Sequence, residues 1–152
     1  MTCDATQARN KNPDQPTFAD SIDAASAEAP FTDALFPADK SSLVWSANNE
    51  TWQGASDVEE WKRISEMYGN GKFSLFGSEG VTPKDILQGS IGNCWFMSAI
   101  SAIAEAPGRV ENMFLNTSNA VEPKGIYGVN MFALGVPHTI IVDDSIPMYE
   151  SW

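Results

Sequence analysis

Two cysteines and one histidine in 152 residues leave few side chains that can act as a nucleophile or bind a transition metal. Cys94 is the one placed to react. It opens the stretch Cys94–Ala106, whose alanines favour helix and which stops sharply at Pro107-Gly108. A thiol at a helix start lies beside the positive end of the helix dipole and the free N–H groups of the first turn, and both stabilise a thiolate. The same N–H groups can donate to the oxyanion that forms when a thiolate attacks a carbonyl. Gly89 and Gly92 on the approach let a substrate backbone lie close, and Gln88 offers an amide that can reach the oxyanion from the side. Ser90 or Asn93 can cap the helix. A lone cysteine is ordinarily a small buried hydrophobe, and Cys3, in a polar segment, has nothing of the setting of Cys94.

The elements that must hold this cysteine are legible to different degrees. Along Cys94–Ala106 only Ser98, Ser101 and Glu105 form a polar stripe, so the helix is apolar over nearly its whole circumference and belongs inside a larger protein. A second helix is expected over Arg109–Leu115. Beyond it the period shortens to two: Tyr127, Val129 and Met131 share one side of a strand over Ile126–Phe132, Ala133–Pro137 turns, and His138–Val142 returns as its antiparallel partner. Upstream, Val58–Met67 reads as a helical turn or two, Tyr68–Lys72 as a turn, and Phe73, Leu75 and Phe76 as a short apolar piece. Phe31 to Trp45 reads as irregular but packed chain. Residues 1–29, with only Phe18 and Ile22 as large apolar groups, are expected to be a disordered tail, because they offer too little burial to offset ordering entropy.

Composition excludes several functions. Twenty acidic against nine basic side chains give a net charge of -11, which repels phosphate backbones and anionic lipid, so no nucleic-acid partner is expected. Two distant cysteines make no disulfide framework or cysteine-rich zinc site, and one histidine makes no multi-histidine site. The first ten residues lack the apolar run of a signal peptide, and no stretch is long and apolar enough for an integral membrane segment. The expectation is a soluble, cytoplasmic protein, in which the Asn-x-Ser/Thr triplets at Asn49 and Asn116 are chance matches.

The run Asp85-Ile-Leu-Gln-Gly-Ser-Ile-Gly-Asn-Cys-Trp-Phe-Met-Ser-Ala-Ile resembles the active-site segment of the calpain family of papain-like cysteine proteases. That family reads Asp-Ile-x-Gln-Gly-x-Leu-Gly-Asp-Cys-Trp at the same spacing. Phe31-Thr-Asp-Ala-Leu-Phe-Pro, Glu60-Trp-Lys-Arg-Ile-Ser-Glu, Gly125-Ile-Tyr and Val142-Asp-Asp-Ser-Ile-Pro resemble further family segments, so the likeness spans about residues 31–152. It implies an α+β fold: the first, mainly helical half of a papain-like core, residues 30–152, ending in a β-hairpin. It also implies that Cys94 is the catalytic nucleophile, Gln88 the oxyanion-hole glutamine, and Trp95 a residue packed beneath the site. Asn93 replaces the family's commoner Asp before the nucleophile.

The resemblance further implies calcium-dependent cleavage of protein substrates. By position, calcium would take the Asp85 carboxylate and backbone carbonyls near Ser78 and Gly80, although on the residues alone Asp85 is equally an ordinary cap carboxylate. Asp143-Asp144 is placed at a strand end in solvent, and no EF-hand loop occurs. Papain-like chemistry also needs a histidine, with an asparagine to orient it, roughly 130–150 residues past the cysteine. Only 58 residues follow Cys94, and His138 falls where the family has a structural strand. The chain is therefore expected to be a partial catalytic domain, inactive alone, whose partner is the downstream half of the core. The alternative is a calpain-like binding or scaffold protein without activity.

Overall fold

The computed structural model describes residues 16–43, 55–68, 73–89 and 91–149. Helices and antiparallel strands are both present among the described residues, an α+β arrangement in which they form two two-stranded sheets. Cys3, Ser90, Val44, Trp45 and most of the expected turn over Tyr68–Lys72 lie outside the described residues.

The first sheet joins segments far apart in sequence. Strand β1 (Glu60–Arg63) pairs antiparallel with β4 (Ser145–Met148), in a register that sets Glu60 opposite Met148 and Arg63 opposite Ser145. The helical reading of Val58–Met67 is thus half right. Helix α2 occupies only Ile64–Tyr68, and its start is held by the Glu66 carboxylate, which accepts the Arg63 N–H at 2.9 Å. Pairing with β4 overrides local propensity in the preceding four residues.

The second sheet is the expected hairpin. β2 (Ile126–Ala133) pairs with β3 (Val136–Asp143), and the loop tightens to Leu134-Gly135. Both residues have positive φ, at 52° and 77°, the twist that lets a two-residue turn join right-twisted strands.

The helix expected over Arg109–Leu115 is absent. A single 3-10 turn, Glu111–Met113, forms there instead. Phe114 bridges Val129, the Leu115 N–H donates to the Gly128 carbonyl, and Asn116 donates to the Ile126 carbonyl while accepting the Gly128 N–H. These bonds extend the chain along β2, so pairing again wins over propensity.

Within the stretch expected to be disordered, residues 16–29 depart from expectation. Helix α1 (Phe18–Ala24) starts with a capping box: Thr17 Oγ1 accepts the Asp20 N–H, and the Asp20 carboxylate accepts the Thr17 N–H. Its Phe18 ring lies over Gly128, where a Cβ would come within 2.8 Å of the ring. Lys124 Nζ donates to the Ile22 carbonyl at 2.6 Å. One aromatic ring in the gap left by a glycine supplies burial that the composition of the segment does not advertise.

The packed interior is small. Leu43, Ala55 and Val58 are buried together, with Trp61, Ile91 and Tyr149 packed against them. Ile126 and Tyr127 are buried at the start of β2. Between these groups runs an ion pair: Arg63 Nη1 meets Asp144 Oδ1 at 2.5 Å, and Arg63 Nη2 donates to the Phe31 carbonyl at 2.6 Å. Asp144 is only 5% exposed, so its expected place in solvent is wrong. The carboxylate is buried because a guanidinium 81 residues earlier neutralises it. Asp143 caps backbone instead, accepting the N–H groups of Asp33 and Ser145.

Candidate active site

The reactive segment runs from the 3-10 turn Pro83–Asp85 to helix α3 (Cys94–Ala104). Asp85 closes the turn by a local cap: its Oδ2 accepts the Thr82 N–H at 2.8 Å and the Thr82 hydroxyl at 2.9 Å. Those two bonds, the backbone one first, hold the Asp85 carboxyl below the usual aspartate range. A lowered value means that the cap is fully formed above the ordinary aspartate range and is lost as pH falls through the group's own lower value. An NMR titration of the Asp85 side-chain carbon is expected to show a midpoint below that of an aspartate in the unfolded chain, and Thr82→Ala is expected to move it upward.

The loop after the turn is organised by one peptide group. The Ile91 carbonyl accepts both the Gln88 side-chain amide at 3.1 Å and the Asn93 N–H at 2.8 Å. Gln88 is therefore tied to the loop that leads into Cys94, with the second N–H of its amide left to donate elsewhere.

At the start of α3 the Asn93 carbonyl accepts the Phe96 and Met97 N–H groups at 2.9 and 3.1 Å. Its side chain makes no capping bond, against expectation, and Asn93 Oδ1 is buried without a partner among the described residues. With no side-chain cap, the Cys94 and Trp95 N–H groups have no acceptor among the described residues. They stand beside an exposed, free Cys94 thiol. An exposed thiol, adjacent backbone donors and a tethered side-chain amide thus lie on one continuous segment. This is the donor set that stabilises a tetrahedral oxyanion.

One expectation about α3 fails among the described residues, that Trp95 packs beneath the site, and the helix itself is little covered. Trp95 is 64% exposed, touching Phe96 edge-on with ring centres 5.8 Å apart, so it does not pack beneath the site among the described residues. Only Ala104 of the helix is buried, because the remaining faces meet few neighbours among the described residues. His138 lies in β3 opposite Met131, on the hairpin rather than on the segment that carries Cys94.

The calcium expectation can be tested on the oxygens present. No group of three or more His, Cys, Asp or Glu side chains able to hold a metal occurs among the described residues. Around Gly80, however, sequence reasoning missed a residue. Glu111 Oε1 accepts the Val81 N–H at 2.8 Å, and a Cβ at Gly80 would lie 2.5 Å from that oxygen. Gly80, with φ of 75°, is the cradle for this carboxylate. Glu111 Oε2 is buried with no partner among the described residues. An orphaned carboxylate oxygen at the Gly80-Val81 loop is hard-oxygen chemistry, which fits calcium in kind.

Residues 31–152 match the model of the calpain family cysteine protease, and the chain belongs to that family. It is 29% identical to Calpain-13 of Rattus norvegicus over 120 residues, which cover 78% of this chain and 17% of that protein. It is 30% identical to Calpain-5 of Caenorhabditis elegans over 125 residues, covering 78% of this chain and 18% of the relative. A calpain-type cysteine protease of Oryza sativa subsp. japonica is 34% identical over 127 residues, covering 81% of this chain and 6% of that protein. The chain therefore spans less than a fifth of the length of these relatives.

Proposed function

We propose that this chain forms the mainly helical half of the catalytic unit of a calpain-like cysteine endopeptidase acting on protein substrates in the cytoplasm. The observation that carries the reading is the exposed Cys94 thiol at the uncapped start of α3. The Cys94 thiolate attacks the scissile carbonyl carbon, and the carbonyl π pair moves to oxygen. The Cys94 N–H and the free N–H of the Gln88 amide donate to that oxygen. Collapse of the adduct breaks the C–N bond, and the departing amine takes a proton from a general acid, the role the family gives to a histidine farther along the sequence. Water then hydrolyses the acyl-enzyme. The uncovered faces of α3 support a second half of the core packing there.

Calcium control belongs to the same proposal. Asp85, the carbonyls of Ser78 and Gly80, and the orphaned oxygen of Glu111 are the groups that would hold the ion. Bound there, the ion would supply charge neutralisation and would fix the loop carrying Gly80 and Asp85.

A peptidyl chloromethyl ketone tests the nucleophile. Sγ displaces chloride to form a thioether, and mass spectrometry reads the site. Cys94 is expected to be labelled faster than Cys3 in the folded chain, with the difference lost in urea. Equal rates at the two thiols in the folded chain would overturn the assignment.

A further inference from the structure

The stretch that leads toward the reactive loop is laced to the chain that follows α3. Ser74 bridges Ala120 antiparallel, and the Leu75 N–H donates to the Asn119 carbonyl at 2.6 Å. The Asn119 side chain holds both backbone groups of Phe76: Oδ1 accepts its N–H at 2.7 Å, and Nδ2 donates to its carbonyl at 3.1 Å. The Phe76 ring meets that of Phe114 edge-on, with centres 5.2 Å apart. A turn follows, closed by the Gly80 N–H on the Gly77 carbonyl at 3.1 Å. Past that turn one side chain takes over, since Glu111 Oε1 accepts the Val81 N–H at 2.8 Å. From Thr82 to Asp85 the hydrogen bonds among the described residues are local, and the turn Pro83–Asp85 packs on α3.

We propose that Glu111 is a positioning residue: through the Val81 peptide it fixes the turn from which the Gln88 loop departs, and it does so without a metal ion. The tether stands on the observed bond. Its consequence at the site rests on the reading of Gln88 as oxyanion donor to the Cys94 adduct.

Glu111 has the footing for this role. It opens the 3-10 turn Glu111–Met113, which runs on into the bonds of Phe114, Leu115 and Asn116 with β2. Its carboxylate therefore transmits the place of the hairpin to Val81. Gly80 makes room, because a Cβ there would lie 2.5 Å from Oε1. Packing on α3 holds one side of the turn Pro83–Asp85, and Glu111 holds the chain that enters it. Gln88 stands three residues past Asp85, while the place of Cys94 is set by α3 itself. A turn that swings on α3 moves the amide relative to the thiol. In the proposed calcium control, the ion would act on a loop already attached at Val81.

Glu111→Ala and Glu111→Gln test the role in the 152-residue chain with EDTA present. The glutamine keeps an oxygen that can accept the Val81 N–H; the alanine keeps none. Amide hydrogen exchange at Val81 reads the tether. Affinity of Cys94 for a peptide aldehyde reads the site, because the hemithioacetal oxygen needs the Gln88 and backbone donors. Glu111→Ala is expected to speed Val81 exchange about tenfold and to weaken aldehyde binding about three- to tenfold, with Val129 exchange in β2 within about twofold of the parent. Glu111→Gln is expected to bring Val81 exchange and aldehyde affinity back to within about threefold of the parent. Unchanged Val81 exchange in Glu111→Ala would overturn the tether, and so would parent protection at Val81 that appears only when calcium chloride is added. Glutamine as damaging as alanine, or Val129 exchange rising in step with Val81, would overturn the positioning role in favour of general loosening. Faster Val81 exchange with unchanged aldehyde affinity would leave the tether and overturn its link to the site. A parent chain that binds no aldehyde would overturn the oxyanion reading and that link together, while Val81 exchange still decides the tether.

Discussion

Asp144→Ala is expected to cost about 3–5 kcal/mol of folding stability, the loss that follows when one partner of a buried ion pair is removed and the other charge is stranded. The magnitude follows from exposure: the Asp144 side chain is 3% exposed and that of Arg63 19%. Arg63 is not spent on Asp144 alone. Its Nη2 donates to the Phe31 carbonyl at 2.6 Å and to Thr32 Oγ1 at 3.2 Å, so one guanidinium ties the segment entering at Phe31 to β1 and to the end of β3. The Ile64 N–H donates to the Asp144 carbonyl, closing the same junction through backbone. Gly125 admits the pair, since a Cβ there would lie 2.7 Å from Arg63 Nη1 and 2.8 Å from Asp144 Oδ1. Natural domains are stable by only about 5–15 kcal/mol, so such a loss leaves a marginal protein. Urea denaturation of Asp144→Ala, with Asp143→Ala as the comparison, checks the claim. A difference from the parent below about 1 kcal/mol, as for a surface pair, would show that the junction carries no such weight.

That junction also marks where the sequence stops being readable. Val142-Asp-Asp ends a strand by its pattern, and a pair of aspartates after an apolar run reads as a solvated end. Nothing local says that the second one turns inward to meet Arg63. The same holds for Arg109–Leu115, where helical propensity lost to hydrogen bonds with Gly128 and Ile126, and for Glu60–Arg63, drawn into a sheet by residues more than eighty positions away. What was legible was what local rules decide. Proline and glycine stop α3 close to where they should, and a period of two with a glycine turn gives the hairpin within one or two residues.

The site divides along the same line. Cys94 and Gln88 could be proposed from sequence because the chemistry proposed for them needs a thiol at a helix start and an amide shortly before it, both local requirements. Glu111 was invisible, since it meets the loop at Gly80 and Val81 only once the chain has folded. Asn93 is the instructive failure. It stands at the capping position and belongs to a preferred capping type, yet its side chain does not cap. The bond it forgoes would go to the second or third N–H of the helix, that of Trp95 or Phe96, and leaves the Cys94 N–H untouched.

Gln88→Ala is expected to slow acylation of Cys94 by about 10²–10³, the usual cost of losing one oxyanion donor. An activated ester is the substrate to use. When Sγ attacks the carbonyl of a p-nitrophenyl ester, collapse expels p-nitrophenolate, which leaves without being protonated. The burst therefore reads acylation without calling on a general acid. In the parent, the Gln88 amide has one N–H on the Ile91 carbonyl at 3.1 Å and one to spare. Removing the side chain leaves the Cys94 N–H as the nearest donor. Iodoacetamide, which reaches the same thiol without forming an oxyanion, should alkylate Gln88→Ala within about twofold of the parent, because the start of α3 is set by Asn93 and Phe96 rather than by Gln88. Cys94→Ala should show no burst. A Gln88→Ala burst within about threefold of the parent would mean that the amide does no more than tie the loop together. A parent chain with no burst at all would remove Cys94 as an acylating nucleophile, however reactive its thiol proves toward alkylation.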